Sequence, residues 1–465
     1  MRHKVFFRAD ASAEIGYGHF IRTLALADML KDDFDCTFFT QAPTEYQKRE
    51  AAGVCRLIEL PSDTSKFETF LGYLHGDETV VLDNYFYSTE YQSSIKDKGC
   101  KLVCIDDMHD KHYVADVVVN HGSVCSSLFS VEPYTNLCLG LDWALLRRPF
   151  LSVCQRYNKE NRGSVAISFG GSDTNDFTGT VIRSLISDKN IKSIKAIVGD
   201  AYRYPKVNSD ARVKYCSNLS AGEVCNIFST ADIVICSAST VCIEALFCGA
   251  RVAAGWYADN QKEFYDYLES SHYIIPLGRL AHNVPVIHDN RNCILSFSPA
   301  LAKNIRREYI RLFRNIAFGT YLRKARHEDA EILYEWINDR EVRQNSFTTA
   351  PISYDEHTRW FRQALEKKTV SIYILIHDNR PVGTARFEEI EKEVAIISYL
   401  IAKSHRNEGL GGKLIELAME ETLLSTKIKK VEAYIKDGNQ KSQKILRKYG
   451  FVEETKNKYI FNIKS

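Results

Sequence analysis

Near the start of the chain, Gly16-Tyr17-Gly18-His19 separates a strand-like run, KVFFRAD, from a stretch with helical periodicity. Phe20, Leu24, Ala27 and Lys31 fall on one stripe of that helix. A histidine at a helix start meets the positive end of the helix dipole, which disfavours the imidazolium. A neutral imidazole is what a general base needs. Gly16 and Gly18 lack side chains, so a ligand can approach the backbone amides. An ordinary turn carrying a solvated histidine would use the same residues.

Three later stretches have comparable potential. Gly170-Gly171-Ser172-Asp173 follows the buried run SVAISF, and free amides beside the Ser172 hydroxyl suit a diphosphate. A plain β-turn is the alternative. In SASTVCIEALFCGA a strand delivers Ser239 to a sheet's carboxyl edge, where ligands of α/β proteins bind. Glu244 is expected on the first turn of the following helix. There it could accept both hydroxyls of a ribose, or simply complement the dipole. Asn260 and Gln261 follow in the loop WYADNQ. Near the C-terminus, Arg406, Gly409, Gly411 and Gly412 lie between VAIISYLIA and a helix, again offering amides to an anion.

These residues need a scaffold that presents loops on sheet edges. ETVVLD, KLVCID, SVAISF, IKAIVGD, ADIVICSAS and ARVAAGW read as strands alternating with helices, the pattern of parallel sheets with crossovers. The amphipathic helix of residues 298–319 ends at Gly319, an expected C-cap. After it, SIYILI, VGTARFEEI and VAIISYLIA open a unit of α+β character. The 465 residues are expected to form two doubly wound, Rossmann-like domains over 1–148 and 149–318, then an α+β domain over 319–465 that folds separately. A net charge of +2 gives no electrostatic basis for nucleic acid or anionic membranes. No apolar run reaches the roughly 18 residues of a membrane span, and the N-terminus lacks a signal-peptide core. Thirteen scattered cysteines without a CxxC pair suit a reducing cytoplasm and support no metal site.

Taken in order, FRADASAEIGYGHFIR, LGLDWALLRRPF, SFGGSDTNDFT and SASTVCIEALFCGARVAAGWYADNQ resemble the pseudaminic acid pathway's hydrolases of UDP-2,4-diacetamido-2,4,6-trideoxy-β-L-altropyranose. The resemblance implies the glycosyltransferase-B fold and inverting hydrolysis, with His19 as base. It also implies Glu244 on the uridine ribose and Asn260 near the sugar and phosphates. Gly16, Gly18, Gly171, Ser172, Ser239 and Gln261 would complete the UDP-sugar site. Asp176 departs from the pattern, since relatives tend to carry asparagine there. A glycosyltransferase with a sugar acceptor, or a regulator that binds nucleotide sugars without turnover, could use the same cleft.

The Arg406–Gly412 loop matches the R-x-x-G-x-G pattern of GCN5-related N-acetyltransferases. EWINDREVRQNS, EHTRWF and NQKSQKILRKYGF are similar to its sugar-nucleotide branch, which acetylates UDP-4-amino-4,6-dideoxy-N-acetyl-β-L-altrosamine. This resemblance implies acetyl-CoA as cosubstrate, held by Arg406, Gly409, Gly411, Gly412 and Asn439. Leu446 stands where many relatives carry a tyrosine acid, with Tyr449 nearby, and His357 is expected to pack or touch substrate. The expected partners are UDP-activated amino sugars and acetyl-CoA, without metal, nucleic acid or membrane.

Overall fold

The computed structural model describes residues 2–11, 17–152, 162–170, 173–199, 202–207, 209–280, 302–425 and 428–463. Contacts divide the chain into two compact units. The first is Met1–Val131 with Cys138–Arg314, and the second is Glu132–Leu137 with Asn315–Ser465.

The first unit is built on two sheets. Chain order begins with β1 (Lys4–Arg8), α1 (Gly18–Leu30), β2 (Asp35–Gln41), α2 (Glu45–Ala52), β3 (Arg56–Leu60) and α3 (Ser65–Leu71). It continues with β4 (Thr79–Leu82), α4 (Thr89–Asp97), β5 (Lys101–Ile105), the short β6 (His112–Tyr113), β7 (Val117–Asn120), β8 (Ser130–Val131) and β9 (Asn136–Leu139). The sheet order is β3-β2-β1-β4-β5-β7-β9, parallel from β3 through β7. Every residue of β4 and β7 is buried, as expected for strands covered by crossovers on both faces.

After α5 (Arg148–Leu151) come β10 (Ser164–Ser168), α6 (Phe177–Leu185), β11 (Ser193–Ile197), β12 (Val213–Cys216) and α7 (Ala221–Thr230). Then follow β13 (Ile233–Ser237), α8 (Thr240–Phe247), β14 (Arg251–Trp256), α9 (Asp259–Ser270) and β15 (Ile275–Arg279). All neighbours in β12-β11-β10-β13-β14-β15 are parallel. Next, α10 (Ala302–Ala317) buries Ile305, Tyr309, Phe313 and Ile316. It packs beside the first sheet: Tyr309 OH donates to the Trp143 carbonyl at 2.7 Å, and the Phe313 ring lies 6.1 Å from Phe34. Gly319, at φ +68°, follows the helix as expected.

The second unit holds β16 (Thr320–Lys324), α11 (Ala330–Ile337), α12 (Arg340–Asn345), α13 (Tyr354–Glu366), β17 (Val370–His377), β18 (Arg380–Glu391) and β19 (Val394–Ile401). It ends with α14 (Leu410–Ser425), β20 (Lys430–Tyr434), α15 (Gln440–Lys448), β21 (Val452–Thr455) and β22 (Lys458–Asn462). In the order β16-β17-β18-β19-β20-β22-β21 only the β19–β20 pair is parallel. That pairing stops at Ile397↔Ala433, whereas β19 runs on to Ile401. Leu446 is wholly buried in the core with Leu414, Ile415 and Val431. This unit also includes Glu132–Leu137: Arg323 Nε donates to the Pro133 carbonyl at 2.8 Å, and Tyr321 OH to that of Tyr134 at 2.9 Å. A fragment beginning at residue 319 would lack both acceptors.

Leu446→Ala should lower stability by about 2–5 kcal/mol, and Leu446→Met by less than about 1.5 kcal/mol. Urea unfolding of the two variants measures the difference.

Candidate functional site

The first candidate site lies on the carboxyl edge of the first sheet. Asp83 follows β4, Asp106 and Asp107 follow β5, and His121 follows β7 by one residue. His19 is the second residue of α1, whose N-cap Tyr17 makes no side-chain capping bond and whose first turn holds no acid. The ring is 6% exposed, and its Nδ1 lies 2.7 Å from Asp83 Oδ1.

Asp83 is wholly buried, and burial alone would raise its pKa. Arg22 and His19 outweigh that effect and hold the carboxyl well below the usual range. An ionised carboxylate only accepts, and its 2.7 Å contact is shorter than the 3.1 Å from Arg22 Nη2 to the same nitrogen, so Nδ1 carries the proton and Nε2 is left for another partner. Arg22 sits one turn along α1 and donates to both Asp83 oxygens, through Nε at 2.7 Å and Nη2 at 2.6 Å. Thr23 Oγ1 adds a third contact at 2.7 Å.

Two further contacts link this cluster to α9, which follows β14 of the second sheet. The Tyr85 ring stands edge-on to His19 at 4.6 Å between centroids, and its hydroxyl donates to Asp107 Oδ2 at 3.2 Å. Asn260 Nδ2 donates to the same hydroxyl at 2.9 Å. His109 Nε2 also meets Glu263 of α9. Of the sequence candidates, the structure therefore brings His19 and Asn260 together through Tyr85. Gln261 is turned to local use, accepting from the Tyr257 amide at 3.1 Å.

Glu244 requires a correction. Helix α8 starts at Thr240, so Glu244 lies a full turn in rather than on the first turn. It is 3% exposed, and Arg147 grips both its oxygens, through Nε at 2.6 Å and Nη2 at 2.8 Å. Ser239 occupies the N-cap of α8 without a capping bond, its Oγ 3.1 Å from that of Ser237. Gly16, Gly171 and Ser172 lie outside the described residues. Just beyond the last two, Asp173 accepts from the Phe177 and Thr178 amides and Asp176 from that of Gly179. Asp176 also accepts from Arg183 and Tyr202. Both acids are therefore caps of α6.

The second candidate site is the loop from Arg406 to Gly412. Gly409 has φ +80° with open space where a Cβ would stand. Gly411 and Gly412 begin α14, where a Cβ would come within 3.1 Å of Ile445 Cδ1 and of Tyr449 OH respectively. The Arg406 side chain does not face an open site. Its Nε donates to the Ile401 carbonyl, Nη1 to Glu341 at 2.9 Å and Nη2 to Asp339 at 2.6 Å. Asn439 caps α15 by accepting from the Ser442 amide at 3.2 Å. His357 is 2% exposed, with Nε2 2.9 Å from the Ala330 carbonyl, a packing role. Among the described residues no cluster of His, Cys, Asp or Glu is arranged to hold a metal, and no helix is long and apolar enough to cross a membrane.

Sequence reading misses Arg22, Asp83, Tyr85, Asp107, His121 and Arg147. A signal for two of them exists, because ETVVLD and KLVCIDD end in carboxylates where strands deliver residues to the sheet's carboxyl edge.

Comparison with known proteins sorts the two sites. Residues 320–452 match the family model of the acetyltransferase (GNAT) domain. The UDP-2,4-diacetamido-2,4,6-trideoxy-beta-L-altropyranose hydrolase of Campylobacter jejuni is 24% identical over 58% of this chain and 97% of its own length. The chain fuses a hydrolase-like region to a GNAT domain. An uncharacterized protein of Methanocaldococcus jannaschii is 24% identical over 99% of both chains. Among solved structures, an aminoglycoside acetyltransferase in complex with coenzyme A is 19% identical over 31% of this chain and 94% of its own, with a TM-score of 0.28. Spermidine N-acetyltransferase of Vibrio cholerae, in complex with CoA and spermine, is 18% identical over 30% and 92%, also with a TM-score of 0.28.

Asp83→Asn should destabilise the chain at pH 7. A carboxyl depressed on folding contributes stability above its unfolded pKa of about 3.9 and loses that contribution as pH falls below it. The gap between variant and parent, measured by urea unfolding from pH 7 to pH 3, should therefore narrow below about pH 4.

Proposed function

We propose that the first unit hydrolyses a UDP-activated diacetamido-trideoxy sugar of the β-L-altropyranose type, as in pseudaminic acid biosynthesis. The observation that carries this reading is the buried Asp83–His19 hydrogen bond, which orients the imidazole and leaves Nε2 available as base. Water loses a proton to Nε2 while its oxygen bonds the anomeric carbon. The bond from that carbon to the UDP oxygen breaks with inversion, and its electron pair leaves on the diphosphate. Two parallel sheets meeting through Asn260 and Tyr85 support a glycosyltransferase-B arrangement.

The diphosphate charge would fall to the starts of α8 and α9, whose N-caps make no side-chain bond, with Gly16, Gly18, Gly171 and Ser172 contributing. The α6 amides are not available, because Asp173 and Asp176 occupy them. Glu244 still has lone pairs for the ribose hydroxyls beyond those that Arg147 uses, and Gln261 stands in the first turn of α9.

The GNAT domain would acetylate the 4-amino group of the preceding UDP-sugar. Acetyl-CoA supplies the acetyl group. Its pyrophosphate suits the backbone of Gly409, Gly411 and Gly412 at the start of α14, whose first turn holds no acid. Arg406 shapes that loop through Asp339 and Glu341, and Asn439 caps the helix beside it. Beyond Ile397 the side of β19 that β20 leaves unpaired, apart from the Ile401 carbonyl that Arg406 takes, suits an extended amide-bearing arm. Scattered thiols suit a cytoplasmic setting for both steps.

His19→Asn should lower UDP release from the diacetamido sugar nucleotide by about two orders of magnitude or more, with UDP affinity unchanged. Near-normal turnover in a folded variant would sink the assignment. Gly411→Glu should abolish acetyl-CoA binding in calorimetry, since charge and bulk enter where pyrophosphate must meet bare amides. Hydrolysis of the already acetylated substrate should survive that change.

A further inference from the structure

Asp107 and His121 stand beside the proposed base without a part in the chemistry above. Asp107 Oδ2 accepts from Arg22 Nη1 at 3.0 Å and from Tyr85 OH at 3.2 Å. Its Oδ1 is buried with no hydrogen-bond partner among the described residues. His121 is 8% exposed, and its Nδ1 is likewise buried and unpartnered among those residues. Native interiors leave few polar atoms unpaired, so two in one cluster call for an explanation.

The surroundings of His121 constrain its chemistry. The charged groups near it are Arg22, Asp107 and Asp83, and the Phe264 ring of α9 lies 6.1 Å away between centroids. Burial, reinforced by Arg22, pushes the imidazolium down to about 4, so the ring is neutral at pH 7. A neutral imidazole can offer an N–H, and a carboxylate oxygen offers an acceptor. Phosphate oxygens would be repelled by the Asp107 carboxylate, so the group it accepts from is an uncharged donor.

We propose that Asp107 Oδ1 and His121 Nδ1 form the sugar-reading subsite of this cleft, taking a substituent that both donates and accepts, either an acetamido group or a hydroxyl. An N–H or O–H of the sugar donates to Asp107 Oδ1, and its oxygen accepts from His121 Nδ1–H. Arg22 and Tyr85 hold the other carboxylate oxygen, so the acceptor is fixed before the substrate arrives. A site built to bond such a group discriminates strongly against sugars that lack it, because its buried atoms are then left unpaired. The subsite rests on the UDP-sugar hydrolase reading.

The test is steady-state UDP release by the full chain and by His121→Phe, His121→Gln and Asp107→Asn. The substrates are the UDP-diacetamido sugar and its 4-amino precursor, with UDP affinity by calorimetry and thermal melting as controls. His121→Phe and Asp107→Asn should raise KM for the diacetamido substrate by about tenfold to a hundredfold. UDP affinity should stay within about twofold, because the lost contact is to the sugar. His121→Gln, which keeps a donor and an acceptor, should recover part of the loss. Losses confined to the diacetamido substrate identify the 4-acetamido group as the one read, and equal losses on both substrates identify a group they share. An unchanged KM in folded His121→Phe, or UDP affinity falling in step with KM, overturns the subsite alone. A parent chain that releases UDP from neither sugar overturns the hydrolase reading and the subsite with it.

Discussion

A single buried carboxylate organises the first unit's site. Asp83 follows a wholly buried strand, and among the described residues its carboxylate takes donors only from α1: His19, Arg22 and Thr23. Removing one charge from water costs several kcal/mol unless every lone pair finds a partner. The fit between β4 and α1 is therefore an electrostatic requirement as well as a packing one. The same contacts fix the imidazole's tautomer and orientation. Arg22 passes the constraint on to Asp107, and Tyr85 carries it to Asn260 of α9. Chemistry and scaffold share one hydrogen-bond network.

Capping decides which helix starts can meet an anion. The glycine turn after β10 looks like a phosphate cradle, yet α6 brings its own acids. Asp176 adopts the left-handed conformation at φ +52° to reach the Gly179 amide. Tyr17, Ser239 and Ala258 provide no such bond to α1, α8 and α9. In each case a side-chain oxygen, present or withheld, sets what the backbone can bind.

Much of this architecture is legible in sequence for a simple reason. ETVVLD, KLVCID and ADIVICSAS are short apolar runs bounded by polar turns, and burial on both faces produces such runs. GYGH and RNEGLGG stand out in the sequence because glycine has few roles in those contexts. The partners of His19 are not legible in the same way. Asp83 lies 64 positions from His19, and no local pattern couples them. The return of α10 to the first sheet, made by Tyr309 and Phe313, is hidden for the same reason. Glu244 falls beyond the expected first turn because Ser237, Ser239 and Thr240 are all residues that commonly open helices, which leaves the start of α8 poorly marked in sequence.

The inclusion of Glu132–Leu137 in the second unit bears on the order of folding. Arg323 reaches the Pro133 carbonyl across 190 positions of sequence. A ribosome releases that acceptor long before the strand that needs it exists. The strand pairings of the GNAT domain all lie within residues 320–462, so this long loop ties a segment made early to a domain made late. Entropy grows only slowly with loop length, so the delay is one of timing more than of stability. During synthesis the segment is complete well before β16, whose Tyr321 and Arg323 it receives.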